Sequence, residues 1–192
     1  MQASDLRVVV LGASCAGKTT FARSLSASLG LPHVELDALH WGPEWKPRPR
    51  PAFLGDVETA ISGRRWVVEG GYEVVRQVIW RRATTAVWLD YLFSTVFLRA
   101  LRRTVCRSLT GEELYSGNRE SLFRAFLTPG GIPWWVVRTY WRRRATYEEA
   151  LISAEAAHLT VVRFRQPRDA EAFLDTLDLS NPPMQPTGSA GG

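Results

Sequence analysis

Residues 6–19 constrain this chain more than any other segment. Residues 6–11 (LRVVVL) form an unbroken β-branched run, the pattern of a strand buried on both faces of a parallel sheet. The run leads directly into Gly12-Ala13-Ser14-Cys15-Ala16-Gly17-Lys18-Thr19, a full match to G-x-x-x-x-G-K-[ST]. Residues 18–29 then read as a helix that stops at Gly30. The glycines let backbone N–H groups turn inward around phosphate oxygens, where the helix N-terminus favours negative charge. Residues Gly12 to Thr20 are therefore expected to cradle a nucleotide triphosphate, with Lys18 reaching the β- and γ-phosphates and the Thr19 hydroxyl a ligand of Mg²⁺.

Strand and helix patterns alternate after this point. Strands are expected over 33–37, 65–69, 84–90 and 159–164, and helices over 52–62, 72–82, 92–109, 132–157 and 167–177. A proline-rich loop fills 41–51, and a shorter helix is expected near 118–127. This alternation predicts an α/β fold with a parallel sheet whose binding crevice lies at the carboxyl ends of the strands. Residues 1–179 are expected to form one domain, with a helical, arginine-bearing lid at about 108–131. Residues 180–192, uncharged and rich in Pro and Gly, read as a disordered tail.

Composition narrows the class further. Among 192 residues there are two cysteines, too few for a disulfide framework, and no uncharged apolar run of membrane-spanning length. The N-terminus lacks the pattern of a signal peptide, so a cytoplasmic monomer or homodimer without membrane attachment is expected. Of 24 basic residues only Lys18 and Lys46 are lysines, and ten arginines crowd positions 99–144 against three glutamates. Guanidinium groups suit phosphate recognition. Such a cluster serves a transferring phosphoryl group, a nucleic-acid backbone or simply a solvated face.

Several further residues carry candidate chemistry. Glu35 and Asp37, two apart in the expected second strand, would share one face, with Asp37 at the crevice to accept a hydroxyl proton or hold Mg²⁺-bound water. Asp37 also suits the capping of a following turn. Gly70 and Gly71, after Glu69 at the end of the third expected strand, permit close approach of an acceptor to backbone. Arg76 on the next helix and Trp41 on the proline-rich loop complete the expected acceptor contacts, although Trp41 also suits plain packing. Asp90, ending the fourth expected strand, is a candidate outer-sphere Mg²⁺ acceptor or a helix cap. Arg103, Arg138 and Arg142 represent the cluster as candidate catalytic cations.

Residues 12–19, 35–41 (ELDALHW), 66–72 (WVVEGGY), 87–90 (VWLD), 117–120 (GNRE) and 138–144 (RTYWRRR) together resemble the adenylate-kinase-like P-loop proteins of the topology modulation (FlaR-type) family. The resemblance covers about residues 6–178. It implies a five-stranded sheet in the order 2-3-1-4-5, Mg-ATP binding and an arginine-bearing lid. Gly71 departs from the family, which carries Asn there. On this reading the protein is an ATP-dependent phosphotransferase acting on a small-molecule or nucleotide acceptor. The alternative is a nucleic-acid-linked regulatory P-loop NTPase whose arginine segment grips a phosphate backbone.

Overall fold

The computed structural model describes residues 5–110 and 132–180; the side chains of 107–110 and 178–180 are not included. Five parallel strands, β1 (Leu6–Gly12), β2 (His33–Glu35), β3 (Arg65–Glu69), β4 (Thr85–Leu89) and β5 (Thr160–Phe164), form one sheet in the order β2-β3-β1-β4-β5. β1 is central, with Val8 opposite Val67 on one side and Thr85 on the other. Its side chains alternate between two cores, as a strand covered on both faces requires. Val8 and Val10 pack with Phe21, Leu25 and Val96, whereas Val9 and Leu11 pack with Phe53, Val75 and Ile79.

Seven helices follow in chain order among the described residues: α1 (Lys18–Leu29), α2 (Leu36–His40), α3 (Arg50–Ala60), α4 (Glu73–Arg82), α5 (Phe93–Thr110), α6 (Ile132–Ile152) and α7 (Pro167–Ser180). The expected boundaries hold to within a few residues, with two informative exceptions. The second strand ends at Glu35, and Leu36–His40 is a short helix. Asp37 therefore lies in a first helical turn and does not share a strand face with Glu35. Leu36 explains the turn: it is fully buried, and an added Cβ on Gly70 would meet its Cβ at 2.8 Å. That contact, together with a φ of +134°, makes glycine the fitting residue at 70. The helix expected over 132–157 likewise ends at Ile152 and is followed by a 3₁₀ turn, Ala154–Ala156.

Helix α6 does the most to shape the site. Val136 and Tyr140 near its start belong to the core on one side of the sheet, while Tyr147 and Ala150 near its end belong to the core on the other. The helix thus crosses the sheet, and Arg142, Arg143 and Arg144 lie on the stretch that makes the crossing. No helix among the described residues is long and apolar enough to cross a membrane. Most of the expected lid, including Arg119 and the 118–127 helix, lies outside the described residues, as does the expected tail beyond Ser180.

Candidate active site

The loop between β1 and α1 has the backbone that phosphate binding needs. Gly17 has a φ of +95° and Cys15 a φ of +64°, and the Ala16 N–H donates to Ala13 O at 3.2 Å. Lys18 Nζ donates to Ala13 O at 3.1 Å, curling over the loop. Burial pushes the Lys18 ammonium below the usual lysine range, and the charges of Glu69 and Asp37 partly oppose that shift. A desolvated cation curled over a loop with left-handed turns at Cys15 and Gly17 fits a bound polyphosphate. Ser14 and Ala13 are half-buried in the same loop, and Thr20 faces solvent.

Thr19 Oγ1 donates to Glu69 Oε1 at 2.7 Å. Glu69 ends β3 beside β1 and is buried. Burial raises its carboxyl above the usual range, against the opposing effects of Lys18 and the Thr19 hydrogen bond. A hydroxyl and a carboxylate in contact form an oxygen-rich corner that suits Mg²⁺, a hard cation. Sequence reasoning passed over Glu69 in favour of the glycines after it. Its place at the end of a strand predicted to lie in the sheet was the available signal.

Asp90 meets a different fate from the one its position suggested. Arg144 Nε and Arg163 Nη2 each contact its carboxylate at 2.7 Å, on Oδ1 and Oδ2 respectively. With both oxygens engaged by guanidinium groups, Asp90 is not a free Mg²⁺-water acceptor. It ties α6 to the ends of β4 and β5, and Arg163 also lies over Trp88 at 4.1 Å.

Asp37 reaches the site through Tyr72. The Tyr72 hydroxyl donates to Asp37 Oδ1 at 2.5 Å and forms a side-chain hydrogen bond with Trp41, whose indole N–H is the donor. Burial and then the Asp37 charge push the Tyr72 phenol well above its ordinary range, so it stays a donor. His40 packs between Trp41 and Tyr72, with centroids at 4.7 and 4.4 Å. Trp41 thus belongs to an aromatic group that fixes the Asp37 carboxylate. Glu35 pairs instead with Arg23 at 2.9 Å.

A cavity of about 340 Å³ opens beside these residues, lined by Gly70, Gly71, Tyr72, Arg76, Arg143 and Tyr147 among others. Arg142 also lines it, while Arg138 is exposed and takes no part in the lining. The Arg76 Nε is shielded from solvent with no hydrogen-bond partner among the described residues, and Glu155 Oε2 stands 4.0 Å from it. Arg143 hydrogen-bonds the Tyr147 phenol and lies near enough to Lys18 to disfavour its charged form. That guanidinium links the cavity to the loop, and three adjacent arginines in sequence gave no indication which would do so. At Gly71 an added Cβ would lie 2.0 Å from the Tyr147 hydroxyl, so Tyr147 occupies the space where a side chain at 71 would begin. On the other side, Arg99 Nη1 donates to Ala16 O at 2.8 Å, and Arg103 Nη1 contacts Cys15 Sγ at 3.8 Å.

A central β1 with this loop at its end, in a sheet ordered 2-3-1-4-5, defines the P-loop kinase fold. Among solved structures the chain is similar to shikimate kinase from Aquifex aeolicus, at TM-score 0.53 and 16% identity over 91% of this chain and 95% of that one. It is also similar to a gluconokinase from Sinorhizobium meliloti, at TM-score 0.50 and 17% identity over 92% and 95%. Neither a family model nor a curated protein sequence matches the chain.

Proposed function

We propose that this protein is an ATP- and Mg²⁺-dependent small-molecule kinase whose acceptor carries a carboxylate or phosphate group. The observation that carries this reading is Arg143, which joins a cationic cavity at Gly70-Gly71 to the Lys18 loop. An arginine-lined cavity suits a fork-accepting anion, and its volume suits a small molecule. The fold likeness to a shikimate kinase and a gluconokinase supports the kinase part of this reading.

The residues divide the work as follows. The loop amides and Lys18 hold the phosphates and offset charge on the transferred phosphoryl group. Thr19, steadied by Glu69, would hold Mg²⁺, which supplies further charge neutralisation when bound. Asp37, held by Tyr72, orients the acceptor hydroxyl and takes its proton. Arg76 and Arg143 grip the acceptor anion, and Arg99 and Arg103 brace the loop from α5. The arginine series supports this reading over a nucleic-acid one, because Arg99, Arg103, Arg143 and Arg144 turn inward to the loop, the cavity and Asp90.

A coupled ADP-release screen over small hydroxy acids, sugar acids, nucleosides and nucleoside monophosphates tests the proposal. Stimulation well above basal hydrolysis by an anionic acceptor, lost in Lys18→Ala, is expected. Stimulation by nucleic acid alone would overturn it.

A further inference from the structure

Beside the nucleotide loop, the edge of the sheet gathers three metal-ligating side chains. His33 and Glu35 are two apart in β2 and share a face, and Glu35 is the register partner of Glu69 on β3. One ligand atom from each of the three residues lies within 4.8 Å of the others. Donors arranged tetrahedrally at zinc distances stand about 3.4 Å apart, so small side-chain rotations bring all three onto one ion.

Two observations mark the cluster as more than a group of acids. His33 Nδ1 stands 4.0 Å from Glu35 Oε1, beyond hydrogen-bond reach and near the separation of two donors on one ion. Two carboxylates side by side also repel, and a shared cation offsets that repulsion. Arg23 now pairs with Glu35 at 2.9 Å, but its side chain is 70% exposed. An exposed ion pair of this kind is weak, and the guanidinium can leave for water at little cost. Thr19 uses Oε1 of Glu69, and a carboxylate has a second oxygen to offer.

We propose that His33, Glu35 and Glu69 form a site for one divalent transition-metal ion of the zinc and cobalt class. The ion is distinct from the Mg²⁺ that accompanies nucleotide at Thr19. One imidazole nitrogen with two carboxylates favours zinc or cobalt over magnesium, which prefers oxygen ligands and retains its waters. Three protein ligands leave a fourth position for water. An ion held there joins the edge strand β2 to β3 and, through Glu69, to Thr19.

The test uses full-length, chelator-treated protein without nucleotide, titrated with Co²⁺ followed by visible absorption and with Zn²⁺ by calorimetry. One ion per chain is expected. Affinity should fall at least about 10-fold in His33→Gln and in Glu35→Gln, the lower end of what even outer-sphere partners contribute. Thr19→Ala should still bind Co²⁺ while losing Mg²⁺-dependent ATP binding, and His33→Gln should do the reverse. Melting temperatures of the metal-free variants confirm folding, and either of the two ligand variants suffices to decide. Absence of stoichiometric binding in the unaltered protein, or undiminished binding in a folded His33→Gln or Glu35→Gln, would overturn the assignment.

Discussion

Replacing Gly71 with alanine tests whether Tyr147 shapes the acceptor cavity. The new Cβ would stand 2.0 Å from the Tyr147 hydroxyl, 3.2 Å from Arg143 Nη1 and 3.3 Å from Tyr147 Cζ. Since Cβ atoms essentially never approach a neighbour under 3.0 Å, the hydroxyl must move by at least 1.0 Å. Tyr147 is only 7% exposed and meets Trp88 edge to face at 6.4 Å, so its ring is held on that side and a displaced hydroxyl intrudes on the cavity it lines. Overpacking of this kind costs about 1–3 kcal/mol. For a domain of this size that lowers Tm by roughly 2–12 °C. Adding Tyr147→Phe removes the oxygen and leaves the ring carbon at 3.3 Å, a contact relieved by a few tenths of an ångström. The pair should recover most of the loss, with a coupling of about 1 kcal/mol or more in a double-mutant cycle. Thermal and urea denaturation of the two single variants and the double variant measure this. A Gly71→Ala protein within about 0.5 kcal/mol of the unaltered one, or an equal loss in both backgrounds, would refute the reasoning.

The other predictions concern charge. Glu69→Gln keeps an acceptor for Thr19 but removes a carboxylate whose folded pKa is raised by burial. A raised acid makes the folded state bind more protons, so its stability cost grows as pH rises through and above the ordinary carboxyl value. The variant should therefore gain stability relative to the unaltered protein as pH rises from about 4 to 7, while losing ATP turnover. Denaturation midpoints across that range check it, and a constant difference would contradict it. Asp37→Asn should lower acceptor phosphorylation by about 10²-fold with ATP binding intact, as read by single-turnover kinetics and nucleotide titration. Arg143→Ala should raise the acceptor KM and lower kcat together, whereas Arg138→Ala, exposed and outside the cavity, should match the unaltered protein in the same assay.

The central strand, the nucleotide loop and the helix after it were legible in the sequence because they rest on local physics. A β-branched run, a fixed glycine spacing and a helix N-terminus need no distant partner to be recognised. The alternation that followed was enough to predict a parallel sheet, and the resemblance supplied its order. Long-range pairing decided the rest. Asp37 read as strand because nothing local shows that Leu36 must turn inward beneath Gly70. Asp90 read as an outer-sphere metal acceptor or a helix cap because its two arginine partners lie 54 and 73 residues away. Among Arg142, Arg143 and Arg144, only the crossing of α6 over the sheet assigns one to Asp90 and one to the Lys18 loop. A side chain's charge is written in the sequence, but the burial and the partner that give it a role are set by chain segments that meet only after folding.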